Sequence, residues 1–259
     1  MCGIFGFALA KPVPLAEVFR ILERLEVHQY PDEETPVGGY GAGMAILGNG
    51  ELSVTKVGKT GSTSPVRELT KLAKAAEASV LISHVRMPSP QFMQTAYLRE
   101  TAQPYVATCH SGSAIASTHN GYIENYQHLR IKLGRDHVFE SEETGFIDSE
   151  VIPHCFEEAL KANADVEEAL HALQATLEGS RTLALLQTGQ EGGFLHLVHK
   201  GKTRGLTVWT NARNEIVFIS RKETLTEGFG RILTEGKFME KASIQHREEK
   251  NLVMAFRLH

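Results

Sequence analysis

Cys2 directly follows Met1, so removal of the initiator methionine leaves a nucleophile at the amino terminus. That one residue then carries a thiol with an ordinary pKa of ~8.5 and an α-amine with one of ~7.7–8.0, a nucleophile beside its own base. The pairing parallels the Thr plus N-terminal amine device of nucleophilic catalysis. A free Cys is also an unremarkable small core residue, and Cys2 alone does not decide between the two uses. A second chemical signal lies in the run SAIASTHNGYIENY, residues 113–126, where a strand-like stretch ends in His119-Asn120-Gly121 and the chain turns toward a helix. Asn-Gly is a turn signal. The same dipeptide offers a side-chain amide donor next to a backbone N–H with no Cβ over it, and two such donors can hold a developing oxyanion.

Other chemical patterns fail on context. Val57-Gly58-Lys59-Thr60 ends like a phosphate-binding loop, but Ser53 stands where the first glycine of such a loop belongs. Gly39-Tyr40-Gly41-Ala42-Gly43 lacks the strand-loop-helix unit of a dinucleotide site and reads as a close backbone approach between sheets. His196 and His199 would suit a helical metal pair, yet their segment reads as strand. Cys109 and His110 are adjacent in an extended stretch and point to opposite faces, so both read as structural.

The elements that must position these groups alternate in blocks. Residues 4–10, 41–47, 80–85 and 114–118 read as strands, and residues 15–27 as a helix with Val18, Ile21, Leu22 and Leu25 on one face. Ser64-Pro65 reads as an N-cap opening a helix to about Ala78. Residues 149–162 predict a helix, and Asp165 with Glu168 a capping box opening another to about Leu177. Strands at 182–188, 194–199, 206–210, 216–220 and 252–258 follow. No linker composition or internal repeat divides the chain, and residues 2–259 read as one α+β domain with sheets packed on each other and helices outside.

Composition narrows the function classes. A chain of 259 residues can bury ~70–75% of its unfolded surface without staples. The net charge of −4, with signs mixed along the chain, gives no basic stripe for nucleic acid or anionic membrane. No apolar run is long enough to span a bilayer, and nothing basic precedes the apolar opening as a secretory signal requires. Three cysteines, Cys2, Cys109 and Cys155, are an odd number without paired-ligand spacing, which argues against a disulfide framework or a cysteine-based zinc site. The expected compartment is the reducing cytoplasm, with no metal and no cofactor.

Taken in order, these segments resemble the class II glutamine amidotransferase domain of the N-terminal nucleophile hydrolases. Cys2-Gly3-Ile4 is similar to its opening CGI, Gly39-Tyr40-Gly41-Ala42-Gly43 to its Gly-rich second strand, and His84-Val85-Arg86 to its HxR segment. Thr101-Ala102-Gln103-Pro104 resembles the segment usually read NAHP, His119 to Asn125 the HNGxIEN segment, and Asp148 to Ile152 the DTEVI segment. The resemblance covers at least residues 2–155 and implies a four-layer αββα sandwich. It also implies a role for each residue: Cys2 as nucleophile, Asn120 and Gly121 as oxyanion donors, Arg86 on the substrate α-carboxylate and Asp148 on its α-ammonium, with L-glutamine as substrate. Met87-Pro88-Ser89-Pro90 departs from the family, leaving Met87 and Ser89 as expected substrate contacts on a stiffened loop. Gln103 stands where His is common, and residues 142–147 lengthen the approach to Asp148. The chain leaves no room for a synthase domain, so ammonia is expected to pass to a separate synthase subunit. A free-standing γ-glutamyl amide or peptide hydrolase and a non-catalytic glutamine-sensing module are the alternatives, and a homo-oligomer stays open.

Overall fold

The computed structural model describes residues 2–109, 112–163, 165–189 and 192–258. Strand β1 (Gly3–Pro14) starts one residue after Cys2 and is buried on both faces over its first seven residues, as an apolar run without alternation demands. It lies in the middle of a seven-stranded antiparallel sheet of order β11-β9-β10-β1-β4-β2-β3. The other strands of that sheet are β2 (Gly41–Gly48), β3 (Glu51–Gly58), β4 (Glu77–Arg86), β9 (Leu206–Thr210), β10 (Ile216–Ile219) and β11 (Met239–Ile244). A five-stranded antiparallel sheet of order β12-β8-β7-β6-β5 contains β5 (Tyr105–Ala107), β6 (Ile115–Gly121), β7 (Arg181–Gly189), β8 (Gly192–Lys202) and β12 (Glu249–Arg257).

The side-chain period of a strand turns these sheets into layers. Along β1, Ile4 and Ala8 face the space between the sheets, where Ile82 and Phe218 meet Ala116, Ala184, Leu186 and Leu197. Phe5 and Phe7 point the other way, onto Val18 and Leu22 of α1 (Leu15–Val27), Val66 of α2 (Pro65–Leu72) and Phe229 of α6 (Glu227–Glu235). On the opposite side, Leu183, Leu185 and Val198 pack under Ile152 and Phe156 of α4 (Val151–Ala162) and Leu170 and Leu173 of α5 (Val166–Thr176). The result is the expected helix-sheet-sheet-helix stack. Each fully buried Phe, Leu or Ile contributes about 1.5–3 kcal/mol of transfer free energy to it.

Helix α1 spans the predicted residues 15–27. Helix α2 opens on the predicted cap, with Ser64 Oγ accepting from the Arg67 N–H at 3.3 Å, but stops at Leu72 and not near Ala78. Residues beyond it are claimed by β4: the Leu15 N–H donates to the Ala76 carbonyl at 2.8 Å, and Pro14 and Val13 pair with Glu77 and Ala78. Asp165 precedes α5 as expected, yet its side chain makes no cap hydrogen bond. The segment 149–162 is a 3₁₀ turn, Asp148–Glu150, running into α4. Asn120-Gly121 is not a turn; both residues end β6, opposite Thr182 and Arg181. The sequence reading misses β3, β5, α6 and β11. The polar edge strand β11 lacks an apolar face to read, and α6 carries Gly228 and Gly230 but is held by its Thr226 cap and by Phe229.

Candidate active site

Because β1 and β4 are antiparallel neighbours with Gly3 opposite Val85, the start of β1 and the end of β4 lie side by side, and Cys2 meets Arg86 and Met87. Cys2 Sγ is 3.4 Å from both the Met87 N–H nitrogen and the Met87 carbonyl. The second sheet brings the end of β6 to the same place: His84 Nε2 on β4 lies 3.2 Å from the His119 carbonyl on β6. The turn Asp148–Glu150 closes the third side. Cys2, Arg86, Met87, Ser89, Gly121 and Asp148 line one cavity of about 260 Å³, of a size for a small amino acid.

Arg86 is buried, which excludes a surface ion pair. Its Nη1 donates to the Thr95 carbonyl at 3.1 Å and its Nη2 to Thr95 Oγ1 at 3.0 Å. Thr95 Oγ1 in turn donates to the Phe92 carbonyl at 2.7 Å, so the 3₁₀ turn Pro90–Thr95 folds back to orient the guanidinium. The unusual Met87-Pro88-Ser89-Pro90 stretch is the lead-in to that turn. Burial lowers the Arg86 pKa, with nearby Tyr105, Cys2 and Asp148 opposing the shift. Asp148 does not cap a helix through its side chain; its Oδ2 accepts from the Ile123 N–H at 3.0 Å. Burial pushes this carboxyl up to about 7, against the lowering effect of the Ile123 hydrogen bond. A buried cation and a buried acid facing one cavity suit a zwitterionic headgroup.

Asn120 is fully buried, and neither its Oδ1 nor its Nδ2 finds a hydrogen-bond partner among the described residues. An amide left unpaired costs about 1–3 kcal/mol unless a ligand or a water satisfies it. Gly121 has φ +142°, and a Cβ there would run into the Ser180 carbonyl, so only glycine can present its N–H here.

Gln103 braces this strand end. Its Oε1 accepts from the His119 N–H at 2.6 Å, while its Nε2 donates to the His119 carbonyl at 3.3 Å and to Ser149 Oγ at 3.2 Å. The amide thus pairs with His119 as a neighbouring strand would. Gly43 lets the Gln103 backbone come this near, because a Cβ there would strike the Gln103 carbonyl; the close approach is to the loop before β5 and not between the sheets as expected. His119 Nδ1 lies 2.8 Å from Ser149 Oγ. Burial drives both His84 and His119 down to about 3, so both rings are neutral and weakly basic at neutral pH.

Of the residues singled out from sequence, Cys2, Arg86, Met87, Ser89, Gly121 and Asp148 share the cavity, and Asn120 lies between two of its lining residues, His119 and Gly121. Thr95 and Ser149 were not singled out. Thr95 acts through a loop that doubles back nine positions, which no spacing rule reveals. His196 and His199 sit on β8 and bond to Gln187 and Thr182, as structural residues would. Cys109 Sγ lies 3.6 Å from His154 Nδ1, and Met1 and His110 lie outside the described residues.

No family model matches the chain. It is 32% identical over 192 residues to a glutamine–fructose-6-phosphate aminotransferase (isomerizing) of Halobacterium salinarum, a match covering 74% of this chain and 28% of that protein. The enzyme of the same name from Sulfolobus acidocaldarius is 34% identical over 199 residues, covering 75% of this chain and 30% of the relative. The chain therefore spans less than a third of the length of these relatives. In fold it is similar to a glutamine phosphoribosylpyrophosphate amidotransferase from B. subtilis solved with ADP and GMP (TM-score 0.62, 18% identity, 99% of this chain and 49% of that one). A predicted glutamine amidotransferase from Pseudomonas aeruginosa matches over 99% of this chain and 97% of its own (TM-score 0.54, 12% identity).

Proposed function

The chain belongs to the class II glutamine amidotransferases of the N-terminal nucleophile type, and from that premise we propose that residues 2–259 act as one glutaminase domain that releases ammonia from L-glutamine for a separate synthase. The observation that carries the reading is the convergence of Cys2, Arg86, Asp148 and Gly121 on one cavity.

Glutamine enters with its α-carboxylate on the Arg86 fork and its α-ammonium on Asp148, leaving the carboxamide at Cys2. After loss of Met1, the α-amine of Cys2 takes the thiol proton, and Sγ bonds to the carboxamide carbon. The oxygen gains the negative charge and is held by the Asn120 side-chain amide and the Gly121 N–H. The α-ammonium returns its proton to the leaving nitrogen, the C–N bond breaks and ammonia departs. The amine then deprotonates a water that attacks the γ-glutamyl thioester, releasing glutamate and restoring the thiol. Neutral His84 and His119 are too weakly basic to replace the amine.

The test joins intact mass to turnover. Active protein lacks Met1, an electrophilic glutamine analogue labels Cys2 and neither Cys109 nor Cys155, and Cys2→Ala binds glutamine without releasing ammonia. Full activity with Met1 retained would sink the mechanism. Faster cleavage of γ-glutamyl amides or peptides than of glutamine would make the chain a γ-glutamyl hydrolase with the same headgroup site. Tight glutamine binding by matured protein without ammonia release would make it a sensing module.

A further inference from the structure

We propose that Cys109, His137, His154 and Glu157 form a site for one divalent transition-metal ion of the zinc type. One ligand atom from each of the four lies within 4.8 Å of the others, and three of the residues are buried. None of the four lines the Cys2 cavity. Cys109 follows β5, His137 follows the 3₁₀ turn Gly134–Asp136, and His154 and Glu157 stand three apart on one face of α4. The spacing of the cysteines gave no hint of this, because only one of them takes part and the ligands come from three separate segments.

Three of the six donor separations come close to the edges of a tetrahedron. Donors held ~2.0–2.3 Å from zinc sit about 3.3–3.8 Å apart at its corners. Cys109 Sγ is 3.6 Å from His154 Nδ1, His154 Nδ1 is 3.1 Å from His137 Nδ1, and His137 Nδ1 is 3.5 Å from a Glu157 carboxylate oxygen. The far nitrogen of His137, Nε2, lies 3.3 Å from Glu158 Oε1. A carboxylate there accepts a hydrogen bond from Nε2–H and so leaves the Nδ1 lone pair facing the cluster, the outer-shell arrangement that orients metal-bound histidines. On binding, the Cys109 thiol gives up its proton to solvent. One thiolate, one carboxylate and two neutral imidazoles then balance the dication. Phe139, its ring centroid 4.5 Å from that of His154, supplies an apolar wall, and a cavity of about 410 Å³ touching Leu129, His137 and Glu158 supplies an entry path. Four protein donors leave no open position, so the ion is structural and pins α4 to the segments at Cys109 and His137.

The experiment uses the full chain carrying Cys2→Ala, which removes the active-site thiol as a competing ligand. Chelator-treated protein is titrated with Co²⁺ alone. One Co²⁺ binds per chain, with a thiolate-to-cobalt charge-transfer band and the intense visible bands of a tetrahedral ion. Adding Cys109→Ser abolishes the charge-transfer band, and His154→Ala weakens binding by at least the ~10–100-fold that loss of even an outer-shell partner costs. Zn²⁺ at about a hundredfold excess over its Kd raises Tm by roughly 5–10 °C, and not in the Cys109→Ser protein. Absence of bound Co²⁺ in folded protein, weak octahedral bands, or a charge-transfer band that survives Cys109→Ser would each overturn the site. If His154→Ala does not fold, the half-exposed Cys109 position decides alone.

Discussion

Three side chains carry the proposed chemistry in ways that kinetics can separate. The Asn120 amide is buried with no partner among the described residues, which leaves it free for the oxyanion role proposed above. Asn120→Ala is expected to lower kcat by roughly 10²–10³ with little change in KM, the cost of losing one oxyanion donor. A raised KM with kcat unchanged would make it a substrate-binding residue. Asp148 gives a pH signature. Burial holds its carboxyl near 7 in the free protein, and the substrate ammonium needs it ionised. As pH falls through about 7, kcat/KM for glutamine should therefore decline while kcat holds, since bound substrate stabilises the anion. Asp148→Asn should flatten that limb and raise KM. Arg86→Lys should damage kcat/KM as well, because an ammonium cannot reproduce the two-pronged guanidinium that Thr95 orients.

At the scale of elements, the site exists because strand ends from two sheets are held together by side chains acting as backbone. Gln103 pairs with both polar groups of the His119 peptide and with Ser149, so one residue ties the loop before β5 to β6 and to the turn bearing Asp148. Gln103→Ala should leave those groups unsatisfied and cost on the order of 1–3 kcal/mol in urea unfolding. It should also lower kcat by loosening the oxyanion donors. This interplay explains what the sequence disclosed. Helix α1 was legible because its apolar stripe is local, and Cys2, Asn120 and Gly121 because their chemistry is intrinsic to residue type. The end of α2 was not legible, since residues 73–78 favour a helix locally, while Glu77 and Ala78 are taken by pairing with Pro14 and Val13 of β1, over sixty positions earlier. Thr95 and Ser149 were invisible for the same reason: their partners are set by tertiary structure. The wrong turn at Asn120-Gly121 shows a local signal overruled by β7, whose pairing runs to the last residue of β6.

The stacked sheets make the whole molecule's stability a function of what they bury between and beside them. His84, His119 and His196 are held near 3 against an ordinary 6.5, so the unfolded chain binds their protons first and acid removes stability as pH falls below about 6.5. Asp148 works in the opposite sense. Its folded pKa of about 7 lies above the unfolded 3.8, so between those values the folded state holds the extra proton and this carboxyl loses stability as pH rises. With His154 also held near 3, four histidines outweigh the raised carboxyls of Asp148, Glu26 and Glu150, and the protein should gain stability on going from about pH 5 to about pH 6. Asp148→Asn deletes the opposing proton, so its stability should climb more steeply over that interval, by about 1.4 kcal/mol per pH unit. Urea unfolding of both proteins at the two pH values measures the difference, and coupling between His84 and His119 cancels in the comparison. Parallel slopes would mean that Asp148 binds its proton equally in both states, which would remove the basis for the acid limb expected in glutamine binding.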